Sequence, residues 1–503
     1  MNKKKALIKN LLSNITLFFL NGVIGFWLPP FLIKQLGVGT YGLIPLATTM
    51  IGYASLVTVG INGSLSRFLA IDLEKDDSED ANYTFNSAFT ALSVILIILT
   101  PFLIYFSLNV SSFISLPDGA ESDASIQFLC VSIAFIMTSF TAVFNTSAYV
   151  ANRLDLVNRV SVINTFTRVL LVVCIYVFIA VSLKGYGFAV LVGSVIGSIY
   201  SYYLFRKYTP TIKINPSKFR WENLKSLLSM GGWLIVIQLG GILFLQIDLI
   251  VINKILGNVE AGKYSIVLQW SNMIRQFSLS LSGALGPLIL TLYAKKEFDQ
   301  MIKLSQLSNK VLTLFIACAV SVLIVISGYL LGIWIKPEFS AMKWLFIVVM
   351  VHLPINLGVQ PLFSVNRAFN KVRVPGVMTC LMGLLNLILA ICLVKYTNLK
   401  LYGVAISSAI VLTLKNFVFM PLYAARNMNV HWFTFFKSSL SSIVLVGIAL
   451  VLFYVYPKVF TIESWTKLIF HSCALFAFFS VISFILLSKT ERSMILSMVF
   501  KKK

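Results

Sequence analysis

The sequence predicts an all-α integral membrane protein of about fourteen transmembrane helices. They form two six-helix bundles related by a pseudo-twofold axis along the membrane normal, plus two extra C-terminal helices. Three observations carry this. Hydrophobic residues make up 58% of the chain and charged residues 12%. Apolar runs of about 20 residues, enough to cross a hydrocarbon core, recur from end to end. A short loop is written twice, once in each half. No stretch shows the roughly ten-residue alternation of an outer-membrane barrel, so the spans are helices.

The first span, near 12–33, follows the lysine-rich start "MNKKKALIKNLLSNITLFFL". That start resembles a signal peptide, but the apolar region is too long and no A-x-A-like site follows, so it stays as a span. Within it, "NGVIGFWLPPFLI" is interrupted by Gly22, Gly25, Pro29 and Pro30, which remove or weaken helical hydrogen bonds and predict a bend. The loop "KQLGVGTYGL" at 34–43 leads into the second span, near 43–64. The acidic run "DLEKDDSED" at 72–80 lacks EF-hand spacing and reads as a solvated loop before the third span, near 85–107. Spans four to six lie near 127–149, 161–182 and 187–205. The seventh, near 230–253, contains "LGGILFLQIDLIVI" and the glycines 231, 232, 240 and 241, which predict a second bend. The others fall near 264–285, 311–333, 344–366, 376–394, 401–424, 438–456 and 468–488. The domain division that follows is a first bundle at 1–206, a linker at 207–229, a second bundle at 230–425, and a C-terminal pair with a basic tail at 426–503.

The formal net charge of +23 could suggest nucleic acid, but its distribution is a topology signal. Of the 41 Lys and Arg residues, 28 lie on the side of the N-terminus, 10 on the opposite side, and three inside spans. By the positive-inside rule both termini are cytoplasmic. The six cysteines all fall within predicted helices, where disulfides are not expected. Enzymatic function has little support. The outward loop 108–126 holds Asp118, Glu121 and Asp123 but no Lys, Arg or His, and the three histidines are scattered over separate segments. Neither a GxxxxGK[ST] phosphate loop nor an HExxH zinc motif is present, so no cofactor or metal is expected.

The repeated loop reappears as "NKILGNVEAGKYSI" at 253–266, after the seventh span. Leu36 and Gly37 pair with Leu256 and Gly257, and Tyr41 pairs with Tyr264 after a three-residue insertion. Six spans per half is an even number, so the repeat is parallel, and matching interrupted helices point to a transporter's substrate site. These stretches, with "GINGSLSRFLA" and "IDLIVINKILGNVEAGKYSI", resemble the polysaccharide flippases of the multidrug/oligosaccharidyl-lipid/polysaccharide exporter superfamily, the O-antigen type. The resemblance covers spans one to twelve. It implies a protein of the bacterial cytoplasmic (inner) membrane that carries undecaprenyl-diphosphate-linked oligosaccharide to the outer leaflet by alternating access. A polysaccharide polymerase and a chain-length regulator are the implied partners.

Charges inside the membrane mark the candidate site. Arg168, Asp248, Arg275 and Lys415 fall on spans five, seven, eight and twelve, and each costs about 2.5–3.5 kcal/mol at a helix centre if it faces lipid. They therefore face a bundle or a wet cavity. Three are cationic, which suits a diphosphate. Arg275 is the deepest, and its guanidinium can fork onto phosphate oxygens, whereas Lys415 is a point charge. Arg67, which matches the arginine of the family's "SLSRFLA"-like segment, would meet substrate early. The alternatives are a structural clamp for Asp248, snorkelling for Arg168 and Lys415, and a positive-inside anchor for Arg67. Trp27 and Trp270 sit deeper than the other six tryptophans, which read as interfacial belts, and could stack on sugar rings or simply pack. Asn14, Asn21 and Gln246 could bind sugar hydroxyls or satisfy backbone freed by the helix breaks. Two other functions compete. A multidrug/cation antiporter would need intramembrane acids, and Asp248 is the only one. An oligosaccharide polymerase would need a large basic outer loop.

Overall fold

The computed structural model describes residues 3–74, 77–151, 153–283 and 285–500. Residues 75 and 76 of the acidic run and the closing lysines 501–503 lie outside these, as does the side chain of Trp233. Among the described residues, thirteen helices are long and apolar enough to cross a membrane, and a bent pair supplies a further span. The first half comprises α1 (Lys3–Leu36), α2 (Val38–Ala54), α3 (Leu56–Glu74), α4 (Ser78–Leu108), α5 (Glu121–Val150), α6 (Leu154–Phe178) and α7 (Leu183–Tyr208). Then follow α8 (Trp221–Leu245), α9 (Ile247–Leu256), α10 (Asn258–Gly283), α11 (Phe298–Trp334), α12 (Pro337–Ala368), α13 (Arg373–Tyr396) and α14 (Leu401–Asn427). Helices α15 (Phe436–Val459), α16 (Trp465–Ile485) and α17 (Lys489–Phe500) complete the chain. Every one of the fourteen expected spans has a helical counterpart.

Two helix breaks differ from the sequence expectation. Pro29 and Pro30 lie inside α1, which nevertheless runs unbroken for 34 residues. In a bilayer no water is present to take up freed backbone groups, so the helix persists around a missing donor. The seventh span is interrupted at Gln246 rather than at its glycines, between α8 and α9. The second span is the most divided: α2 and α3 meet at a bend of 63°.

The chain forms two compact units, Met1–Ser265 and Ile266–Lys503. In the first, aromatic residues of α4, α5 and α7 build the core, with Phe85 stacked on Phe205 at 4.7 Å and Phe144 against Phe205 at 5.4 Å. A polar seam joins α1 to α6, where Asn158 donates to Ser13 and Asn14 at 2.8 and 2.6 Å and Asn10 accepts from the Asp155 backbone. In the second unit α11 is the central helix, most of its apolar stretch being buried. Its Lys310 pairs with Glu491 of α17 at 2.7 Å. Burial alone would raise the Glu491 carboxyl, but hydrogen bonds from Lys310 and Ser488 hold it below the usual carboxylate range.

The segment joining the two halves is fastened rather than loose. Asn82 of α4 donates to the Thr211 carbonyl and accepts from the Lys213 amide, at 3.0 and 2.9 Å. Asn86, one turn on, donates to the Lys213 carbonyl and accepts from the Asn215 amide, at 2.9 and 2.7 Å. Ser87 exchanges two bonds with the backbone of Arg220. The Arg220 guanidinium lies 3.3 Å from the centre of the Tyr83 ring and pairs with Asp80. The acidic run is thereby partly engaged, since Asp72 also accepts from Thr84 at 2.7 Å. The second unit repeats the device: Gln306 and Asn309, near the start of α11, donate to the Thr434 and Phe435 carbonyls after α14.

Candidate substrate site

The opening loops of the two halves meet. Gly37 and Gly257 hold the same left-handed conformation, with φ of 79° and 94°, and each precedes a new helix. Five residues on, Gly42 and Gly262 lie backbone to backbone: a Cβ added at Gly42 would stand 2.8 Å from the Gly262 nitrogen. A Cβ at Gly262 would collide with the Val38 carbonyl. Only glycine permits both the turn and the approach. This corrects the register read from the sequence. Leu36, Gly37 and Gly42 match Leu256, Gly257 and Gly262 with no insertion, and Tyr264 is not the counterpart of Tyr41.

Tyr264 has another task. Its hydroxyl donates to Oδ2 of Asp248 at 3.1 Å, and the Tyr53 phenol lies within electrostatic reach of the same carboxylate. Asp248 is buried among these groups at the start of α9. At the adjoining break Gln246 packs on α2, where its Oε1 would meet a Cβ at Gly52 at 2.9 Å. Gln246 Oε1 has no hydrogen-bond partner among the described residues. Asn21 is exposed, and Trp27, 45% exposed, stacks on Phe31 at 5.0 Å. Neither side chain is packed into the core of the first unit.

Of the four cations, the structure brings Arg275 and Lys415 together in the second unit. Arg275, half-buried on α10, donates from Nε to Ser271 at 3.3 Å, and its charge acts on both Lys415 and His352. Lys415 sits in a π-helical turn, Leu414–Phe419, with Nζ 5.6 Å from the centre of the Phe363 ring. The widened turn interrupts α14, a distortion frequent at functional positions. Asn356 links the neighbouring groups: its Nδ2 lies 2.9 Å from His352 Nδ1 and 3.2 Å from Thr413 Oγ1. Asn416 donates to the Asn356 carbonyl at 3.1 Å. Burying so many polar groups in an apolar bundle is costly unless they satisfy one another or a ligand.

Arg67 and Arg168 lie in the first unit on separate helices. Arg67 is exposed on α3. Arg168 is half-buried where α6 crosses α7, because Gly193 lets the helices approach until a Cβ there would stand 3.3 Å from the Arg168 Cβ. Its Nε has no hydrogen-bond partner among the described residues. Trp270 packs edge-on against Trp334 at 5.3 Å and against Phe346 at 6.4 Å. Trp334 is 4% exposed, so it belongs to the core of the second unit and not to an interfacial belt. The sequence reading passed over His352, Asn356 and Asn416. The signal was present as a His and an Asn four residues apart on one helical face of an apolar span.

Residues 7–293 match the family model described as "Polysaccharide biosynthesis protein". The chain belongs to that family. Within reach of sequence comparison lies the uncharacterized membrane protein EpsK of Bacillus subtilis (strain 168), 29% identical over 98% of both chains. A putative O-antigen transporter of Shigella flexneri is 21% identical over 75% of this chain and 88% of its own. Among solved structures, the lipid II flippase MurJ in an inward closed conformation aligns at a TM-score of 0.70 and 16% identity, covering 94% of this chain and 98% of that one. An inward-facing MATE family multidrug transporter aligns at 0.63, also at 16% identity, over 88% and 98%. The family member described here is thus a multi-pass membrane protein with the fold of the exporter superfamily.

Proposed function

We propose that the protein flips an undecaprenyl-diphosphate-linked oligosaccharide from the cytoplasmic to the outer leaflet by alternating access, for assembly of a surface polysaccharide. Family membership and the relatives described as putative O-antigen transporters support this substrate class. The observation that carries the reading is the pairing of Arg275 and Lys415 within electrostatic reach of each other inside the second unit. Two like charges held together in a low-dielectric bundle favour a multivalent anion, and a diphosphate is such an anion. Arg275 forks onto the phosphate oxygens, Lys415 adds a point charge, and Arg67 and Arg168 contribute positive potential along the route. Both termini face the cytoplasm; reporters fused at Lys503 and Gly119 give opposite locations, and an outward Lys503 overturns this topology. A polymerase and a chain-length regulator act on the delivered units.

The test replaces Arg275 by Ala and by Lys in the native host, with protein abundance measured alongside. Ala abolishes surface polymer and accumulates polyprenol-linked oligosaccharide on the cytoplasmic side, whereas Lys retains part of the activity. Unchanged polymer after Ala at Arg67, Arg168, Arg275 and Lys415 together overturns the assignment.

A further inference from the structure

A second site lies apart from these cations, at the end of the second unit where α11 finishes and α12 begins. There α11, α12, α15 and the loop after α15 enclose a cavity of about 480 Å³, within the size range of ligand pockets. Most of its wall is apolar or backbone, but two formal charges of opposite sign line it, Lys343 and Glu463. Among the described residues neither enters an ion pair. Each is held by a different element. Lys343 opens the helix Lys343–Val351, with Nζ 5.6 Å from the centre of the Phe453 ring. Glu463 lies on the loop after α15, which Tyr329 pins by donating to the Phe460 carbonyl at 2.7 Å. The surface next to the cavity is apolar and uncovered: Val451, Tyr454 and Val455 of α15 are 64%, 59% and 48% exposed.

We infer that this cavity binds the headgroup of a zwitterionic, ethanolamine-type phospholipid. The phosphate rests on Lys343, the primary ammonium hydrogen-bonds the Glu463 carboxylate, and the acyl chains lie along the exposed face of α15. An anionic headgroup would satisfy the lysine and be repelled by the glutamate, so the pair of opposite charges selects the zwitterion. The ammonium also makes charge-assisted hydrogen bonds that a quaternary choline cannot.

The test uses the full-length protein in nanodiscs of equal phosphatidylethanolamine and phosphatidylglycerol, with co-retained lipid read by native mass spectrometry. The unaltered protein retains the ethanolamine lipid about fivefold over the glycerol lipid. Glu463→Lys reverses that preference, and Glu463→Gln, a mild change on an exposed loop, brings the ratio to about one. Lys343→Gln loses both lipids. Equal retention by the unaltered protein, or a preference that neither Glu463 variant moves, overturns the inference. So does a preference for the glycerol lipid, the result expected if the lysine alone set the selectivity.

Discussion

Arg275 and Lys415 repel one another, so the groups around them do more than fill space. Asn356 is the connector, reaching His352 on its own helix and Thr413 on α14, just before the π-helical turn that carries Lys415. Truncating it leaves a buried ring nitrogen and a hydroxyl without that amide, at a cost of about 1–3 kcal/mol for each buried group left unmet. Asn356→Ala is therefore expected to lower the thermal midpoint of the purified protein by several degrees, and polymer assembly with it. Asn356→Asp, which keeps the shape and brings a carboxylate beside two cations, should cost transport more than stability, because it competes with the anionic cargo. Equal transport in both variants would argue against a role beyond packing. At this scale the sequence exposed the cations and little of their setting. A charge within an apolar run is visible by its rarity, but which charges converge depends on helix rotation and on a π-helical turn, and neither has a local sequence signature.

Among the elements, the contact between the loops that open α2 and α10 is the most demanding. It relies on two glycines in the left-handed region and two more whose missing side chains allow backbone contact. Nearby, a Cβ at Gly39 would stand 3.0 Å from Asn258 Nδ2. Cysteines at these two positions, Gly39→Cys with Asn258→Cys, should cross-link under mild oxidation. If the loops part during each transport cycle, the cross-link stops polymer assembly and a reductant restores it. Continued assembly in fully cross-linked protein would mean that this end stays shut throughout. The loop pair was legible in the sequence because turn chemistry is local. Its pairing was misjudged by the weight given to Tyr41 and Tyr264, which serve different partners. The expected breaks fared unevenly for a similar reason: proline and glycine weaken a helix, but the bilayer and the neighbouring helices decide whether it opens.

For the whole molecule, hydropathy alone marked all fourteen spans, since length and apolar composition are what a membrane selects. Hydropathy could not show how the connections are held, because those contacts come from side-chain amides meeting distant backbone. The segment after α7 reads from composition as a linker, yet α4 grips it through Asn82, Asn86 and Ser87, and α11 grips the segment after α14 in a related way. The bonds from Asn82 and Asn86 fall on Thr211, Lys213 and Asn215, at the two-residue spacing of an extended strand. All go to main-chain atoms, so apart from Ile212, which is buried in the core of the first unit, the strap is indifferent to composition and strict about length. Replacing the exposed Ile214 by Ser should leave protein abundance and polymer assembly nearly unchanged, whereas Ile212→Ser, at a fully buried core position, should lower abundance. One glycine inserted between Ile212 and Lys213 should depress both, because it slides every later amide out of step with its asparagine. The three side chains on α4 act as a ruler for the crossing, and descendants of this chain are free to rewrite its exposed letters but not to change its count.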